Sequence, residues 1–410
     1  MALLLKWARA LTRRAPSPPL RFPTTGFNVV PSNIIIEEEQ FDEFQAGHYY
    51  PVTIGQVFDS KYQVLGKLGF GTTSIVWLAR NLQEHKHVVL KVYTRDRDHS
   101  EEFQIYNIIS KADRWHSGFP FVRTALDRFS IPRPGGTDHQ CLVLNPAWES
   151  WKHMMTRNSD GRFTPDLLKP GLCQIFRALD YLHTECKIIH TDIKADNILL
   201  ELVDKQVLER FTQSELAEPS PRKFVGEEKN IPVYVSRRFD RPKEFGYSVL
   251  NDFGSATRGD VKNEYDCQPD VYRSPEVMLE AEWSYPIDIW NIGVMIWDIF
   301  QGRHMFYGND PHEKKYMTRA HLAEVVGMLG PPPLDLLQRG KRSKEFFDEK
   351  GNWIVDEIEI PKGTSIGASD ERFEGKEKEQ FVDFMKCMLQ WRPEDRMTAK
   401  QLSEHPWIWP

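Results

Sequence analysis

Several features are missing from this 410-residue sequence, and each absence narrows what it encodes. Its five cysteines, at 141, 173, 186, 267 and 387, are odd in number and nowhere spaced C-x-x-C. That argues against a disulfide framework or a zinc site and for a reducing compartment. No uninterrupted apolar run approaches the length of a bilayer span, since the most hydrophobic stretch, Ile287 to Phe300, is broken by Asp288 and Asp298. A soluble chain with no membrane contact is expected. A formal net charge of −6 gives no basic footprint for nucleic acid and tilts weakly toward basic protein partners.

Acidic residues are absent from the first 36 positions, which carry Lys6, Arg9, Arg13, Arg14 and Arg21 among apolar residues. Leu4, Trp7, Ala8 and Leu11 gather near one helical face with most of the charges off it, the pattern of a mitochondrial import helix; an unstructured basic leader is the alternative. The proline-rich stretch from Pro16 to Pro31 reads as a linker, with ordered structure beginning near Glu37 and an acidic lead-in over 37–49. Cytoplasm or nucleus is the expected location, and mitochondria the alternative that the leader raises.

What is present starts with short strand-like runs. Tyr62 to Leu68 leads into Gly69-Phe70-Gly71-Thr72-Thr73-Ser74-Ile75-Val76-Trp77, and Val88 to Tyr93 is a second β-branched run holding Lys91. Without side chains at 69 and 71, backbone N–H groups can approach phosphates closely. Ser74 stands where the third glycine of the usual pattern would be, so this turn alone is a weak signal. Lys91, flanked by apolar residues, is placed for the α- and β-phosphates of a nucleotide. A helix capped by Ser100 follows, with Glu101 and Glu102 in its first turn, and Glu102 shares a stripe with Ile105 and Ile109. Glu102 is the expected partner of Lys91, although acidic first turns also suit the helix dipole.

The strongest signal is Ile189-His190-Thr191-Asp192-Ile193-Lys194-Ala195-Asp196-Asn197, an H-x-D-x-x-x-x-N loop after an apolar helix from Leu172 to His183. Phosphoryl transfer needs a carboxylate to orient a hydroxyl and take its proton, the role of Asp192; Lys194 offsets charge on the transferred group. Asn197 and the Asp252 of Asp252-Phe253-Gly254 supply hard oxygens for magnesium. Ser274-Pro275-Glu276, the helix opened by Asp288-Ile289-Trp290, and Arg396 as the partner of a buried Glu276 fall in order downstream.

On these motifs residues from about 50 to 410 resemble a eukaryotic protein kinase, and most closely the serine/arginine-rich (SR) protein kinase family in a fungal-like form with a short spacer. The specific pointers are His190-Thr191-Asp192-Ile193-Lys194, Tyr272-Arg273-Ser274-Pro275-Glu276-Val277 and Gly340-Lys341-Arg342-Ser343-Lys344-Glu345-Phe346-Phe347. The resemblance implies an α+β, two-lobed fold: a small antiparallel β lobe with one helix over 50–144, and a large, mainly helical lobe over 145–410. It implies ATP and Mg²⁺ as cofactors. ATP contacts would come from Leu68, Gly69, Gly71, Val76, Lys91, Glu102 and Ala147, catalysis from Asp192 and Lys194, and metal binding from Asn197 and Asp252. The partners it implies are protein substrates, Arg-Ser-rich ones among them, met by a monomer.

Asn197 and Asp252 are 55 positions apart, and the excess, about 203–247, reads as a loop-rich insertion with at most one short helix. Thr191 replaces the arginine that in most kinases anchors an activation-loop phosphate, which implies constitutive activity. The family's acidic docking stretch is missing after Thr318-Arg319, and the hinge Leu144-Asn145-Pro146-Ala147 is unusual. A pseudokinase scaffold, a small-molecule kinase of similar fold and a kinase of other basic proteins stand as rivals. Retention of Lys91, Asp192, Asn197 and Asp252 argues against the first, and Ser274-Pro275-Glu276 with Arg396 against the second.

Overall fold

The computed structural model describes residues 15–95, 97–132, 136–226 and 231–409. The import helix expected at the start of the leader lies outside them. The chain forms two compact units, one gathering residues up to 99 with 124–148 and 202–246, the other 100–123, 149–201 and 247 onward. This division differs from a cut at residue 144: the helix after Lys91 belongs to the second unit and the insertion to the first.

The first unit is built on a six-stranded antiparallel sheet of β1 (Val57–Phe58), β2 (Tyr62–Phe70), β3 (Ser74–Asn81), β4 (Lys86–Tyr93), β5 (Ala125–Ile131) and β6 (His139–Leu144), in the order β1-β2-β3-β4-β6-β5. Alternation sets its faces. Ile75, Trp77, Leu90 and Val92 enter one core cluster with Val64, Val143 and Tyr234, while the intervening Val76 and Lys91 are only partly buried.

The segment expected to be a linker is instead paired to this unit. Ser17 N–H donates to the Leu82 carbonyl at 2.8 Å, and the Gln63 side chain exchanges two 2.8 Å hydrogen bonds with the Leu20 backbone. Val29 bridges Arg222 in parallel. Proline suits such a course, because a segment held by a few isolated hydrogen bonds needs few donors of its own.

The insertion is likewise ordered beyond a loop with one short helix. It forms a 12-residue helix, Gln206–Ala217, and a hairpin of Arg222–Val225 with Ile231–Tyr234. The helix buries Val207, Leu208, Phe211, Thr212 and Glu215 at helical spacing. Phe211 lies so close to β2 that a Cβ on Gly66 would come within 2.7 Å of its ring. Glu215, fully buried, accepts from Ser220 N–H at 2.9 Å, the Ser220 hydroxyl at 2.6 Å and Arg237 Nε at 2.9 Å.

The second unit is mainly helical. Its α1 (Ser100–Lys111) takes Ser100 as its first residue and buries Glu102, Phe103, Ile105, Tyr106 and Ile109. A longer α2 (Pro165–Tyr181) starts on a proline, which fits where the N–H has no intrahelical partner, and ends in a π turn over Leu182–Cys186. The central α3 (Pro286–Gln301) is buried on nearly every side and stops at Gly302, whose φ of 72° is the left-handed conformation glycine adopts without strain. All five cysteines are free thiols. Among the described residues no helix is long and apolar enough to cross a membrane.

Candidate active site

Of the residues expected to serve a nucleotide, Leu68, Gly69, Gly71, Val76, Lys91 and Ala147 belong to the first unit, and Glu102 to the second. Within the first unit, strand register sets three of them in a row: Gly69 opposes Val76 across β2 and β3, and Val76 opposes Lys91 across β3 and β4. A Cβ at Gly69 would meet nothing within 4 Å, so internal packing does not require glycine there. An approaching ligand would.

The catalytic loop is held from beneath by one carboxylate. Asp288, fully buried near the start of α3, accepts from His190 N–H and Thr191 N–H at 2.8 Å each, and its Oδ2 lies 2.9 Å from His183 Nε2. A buried carboxylate so saturated is a rigid fixture. It sustains Thr191 at φ 68°, a costly conformation for a β-branched residue.

From this platform the loop presents Asp192. Lys194 Nζ donates to both of its carboxylate oxygens, at 2.9 and 2.8 Å, and Asn197 Nδ2 donates to Oδ2 at 2.9 Å and to the Asp192 carbonyl at 2.8 Å. The loop of Asp192 and the candidate metal carboxylate Asp252 meet through strand pairing. Strand β8 (Ile198–Glu201), after a two-residue β7 (Ile188–Ile189), runs antiparallel to β9 (Ser248–Leu250), with Ile198 opposite Leu250, and Asn251 N–H donates to the Asn197 carbonyl at 2.9 Å. Asn197 and Asp252 are thereby brought to the same end of the pair.

The fit to magnesium follows from these donors. The Asn197 amide nitrogen is committed to Asp192, so its oxygen is what it offers a cation, and Asp252, at φ 67°, adds a carboxylate. Among the described residues no group of three or more His, Cys, Asp or Glu could hold a metal ion by itself, and magnesium held by Asn197 and Asp252 would take its other oxygens from phosphate and water. When bound with ATP, magnesium neutralises phosphate charge.

Glu102 is 4% exposed and sits beside the Asp252-Phe253-Gly254 turn, its Oε2 3.4 Å from where a Gly254 Cβ would lie. Tyr106, one turn on, packs edge-on against Phe253 with centroids 5.3 Å apart, and Phe253 lies 5.3 Å from the His190 ring. Helix α1, the metal-carboxylate turn and the catalytic loop therefore share one aromatic stack.

The activation segment is tied down by its own residues. Thr191 Oγ1 donates to the Ser255 carbonyl at 2.8 Å, Gly259 N–H donates to the Lys187 carbonyl at 2.8 Å, and Thr257 opposes Ile189 in a short ladder. Gln268 Nε2 donates to the Ile287 carbonyl at 3.0 Å, and its Oε1 accepts from Ser274 N–H at 2.9 Å. At the far end Arg396 clamps Glu276 through two bonds of 2.6 and 2.7 Å, both residues being buried. A cavity of about 780 Å³ lies between catalytic loop and segment, lined by Asp192, Lys194, Ser255, Thr257, Lys262 and Cys267 among others. A substrate hydroxyl entering it can reach Asp192.

Two contributors escaped the sequence reading. Arg123 donates to Asn251 Oδ1 at 2.9 Å and its N–H to the Leu250 carbonyl at 2.9 Å, fixing the end of β9 that leads to Asp252. The Thr191 hydroxyl is the other: its missing charge was legible, but its bond to Ser255 was not.

Comparison with known proteins agrees with this geometry. The family model described as the protein kinase domain matches residues 62–222 and 243–408, and the chain belongs to the protein kinase family. The break in that match falls inside the insertion. A crystal structure of a kinase domain superposes with a TM-score of 0.67 at 21% identity, covering 88% of this chain and 99% of that one, which supports the two-lobed fold. Among curated relatives, a serine/threonine protein kinase of Aspergillus fumigatus is 41% identical over 97% of this chain and 96% of its own. The serine/threonine-protein kinase SRPK of Physarum polycephalum is 30% identical over 91% of both chains, and SRSF protein kinase 3 of Mus musculus 25% identical over the same shares. The protein is a serine/threonine protein kinase, similar to the SR-protein kinases.

Proposed function

We propose that this kinase transfers the γ-phosphoryl group of ATP to serines in Arg-Ser-rich protein segments and is competent without phosphorylation of its activation segment. The observation that carries the second part is the Thr191 hydroxyl on the Ser255 carbonyl. Where arginine would wait for a phosphate, a neutral side chain makes a bond that needs none. In the reaction Asp192 orients the substrate hydroxyl and accepts its proton as the oxygen attacks phosphorus. Lys194, already against Asp192, is placed to follow the charge moving onto the transferred group.

Support for the substrate class is the motif resemblance together with the names SRPK and SRSF protein kinase carried by two relatives. One observation favours a broader preference for basic proteins. The Asp310 carboxylate, near the expected docking region, is already bonded by Arg319, which holds it well below the usual carboxylate range, and Arg319 also reaches Glu357 at 3.1 Å. Labelling of an Arg-Ser repeat peptide, a generic basic protein and a proline-directed peptide decides between them: preference for the repeat supports the narrower reading, and equal labelling leaves the broader one. Enzyme made in a host without relevant upstream kinases should keep its rate after phosphatase treatment. A sharp fall that rephosphorylation reverses would end the constitutive reading.

A further inference from the structure

In the first unit, the acidic lead-in runs against the glycine-rich turn and is fastened on both sides of it. Three consecutive glutamates are each engaged: Glu37 accepts from Ser236 N–H at 3.0 Å and its hydroxyl at 2.6 Å and lies 3.2 Å from Lys67 Nζ, Glu38 pairs with the same buried Lys67, and Glu39 lies 2.8 Å from Lys223 Nζ. Beyond them Phe41 packs on Phe70 at the tip of the turn, with centroids 6.0 Å apart, and Arg95 N–H at the end of β4 donates to the His48 carbonyl at 3.1 Å.

Directly after the last of these anchors comes Tyr49, 7% exposed and part of the sheet's core cluster. Its hydroxyl reaches the carbonyls of Gly71 at 2.8 Å and Thr72 at 3.0 Å. In a trans peptide the N–H points opposite to the C=O. A hydroxyl engaging the carbonyls of 71 and 72 on one side therefore turns the N–H groups of Thr72 and Thr73 to the other. These are the backbone donors that a glycine-rich turn offers to phosphate oxygens.

We propose that residues 37–49 are a built-in strap over the glycine-rich turn and that Tyr49 is a positioning residue, setting two peptide planes for the nucleotide phosphates. The strap rests on the ATP reading above and adds to it a reason why phosphate, more than adenine, is sensitive to residues outside the nucleotide motifs. Loss of the hydroxyl leaves the ring and its packing in place while freeing the turn to sample other peptide orientations.

The test uses the full-length enzyme and Tyr49→Phe, with ATP–Mg²⁺ and adenosine binding followed by titration calorimetry beside ATP KM, kcat and melting temperature. The Kd and KM for ATP should rise about 3- to 10-fold, the worth of one or two hydrogen bonds. Adenosine affinity and kcat should stay within about twofold of wild type, as phosphate-selective positioning requires. Unchanged ATP affinity would overturn the proposal. So would equal weakening of ATP and adenosine, the signature of general loosening, or a lower kcat at unchanged KM. Failure of the wild-type enzyme to bind ATP would instead defeat the nucleotide reading itself, an outcome visible before any variant is made.

Discussion

Two buried ion pairs, one in each unit, show how differently charge can be used inside this protein. In the second unit Arg396 meets Glu276 through two parallel bonds, and its remaining donors reach the carbonyls of Pro286 at 3.0 Å and Gln390 at 3.1 Å. In the first, Lys67 is fully buried between Glu38, Glu37 and the Tyr234 carbonyl. A planar fork fits a carboxylate and leaves little unsatisfied; an ammonium must gather partners one by one. Burial outweighs the attraction of Lys67 at Glu38 and lifts its carboxyl above the ordinary value. The Arg396 pair closes a segment that kinase motifs announce, whereas the Lys67 pair joins elements that no local pattern connects. One is a fixture of the catalytic half, the other a fastening peculiar to the strap and insertion.

The comparison predicts that substitutions in the second unit separate chemistry from stability. Asp192→Asn should lower turnover by about 10²–10⁴ while melting temperature and nucleotide affinity hold, because the role proposed for Asp192 is on the proton while Asp288 carries the loop. Steady-state assays beside thermal unfolding check this, and unchanged turnover in a folded variant would remove Asp192 from the mechanism.

Breaking each ion pair comes next. Arg396→Ala strands a buried carboxylate and should destabilise by about 3–5 kcal/mol, read from denaturant unfolding. Lys67→Met should cost less, about 1–3 kcal/mol, because Glu38 can take up a proton. A carboxyl whose folded value is raised stabilises below its unfolded value of 4.5 and loses that contribution as pH rises through the folded value. The Lys67→Met deficit should therefore shrink toward pH 5. A deficit that grows on acidification would show that Glu38 stays ionised in the variant.

Gly66→Ala probes the insertion's hold on β2. With its Cβ forced to within 2.7 Å of Phe211, the variant should lose about 1–3 kcal/mol, and Phe211→Leu should recover part of that; Gly69→Ala, with open space around it, should leave stability unchanged. Equal stability of Gly66→Ala and wild type would mean that the insertion helix yields freely.

Near pH 7 the smallest effect is expected from His321, buried beside Tyr316 in the second unit. Burial, assisted by the Arg273 guanidinium, pushes its imidazole down to about 3. The unfolded chain then binds the extra proton first, so stability should fall by roughly 1.4 kcal/mol per pH unit below 6.5 until the folded value is reached. His321→Phe should flatten that slope between pH 6 and pH 4 in unfolding curves.

Legibility followed the range of the interactions. Gly69, Lys91, Asp192, Lys194, Asn197 and Asp252 could be singled out as candidates because phosphoryl transfer demands such groups at short, fixed spacings within a few turns and strands. Arg396 with Glu276 was readable across 120 positions because both sit in recognisable motifs. The insertion was not, since its prolines and charges have the composition of a loop while their partners, Glu37 to Glu39, lie nearly 200 residues away. Tyr49 gave no signal at all: a tyrosine in an acidic lead-in looks like any other.

From its own residues, then, the chain specified a protein kinase and named candidates for its chemistry, because catalytic groups must be of particular kinds in a particular order. Folding alone assigned 37–49 and 202–246 to the first unit, turned Thr191 to Ser255 and set Tyr49 against the glycine-rich turn. Each of these depends on which distant surfaces bury one another, and burial of that kind leaves no periodicity or spacing in the sequence.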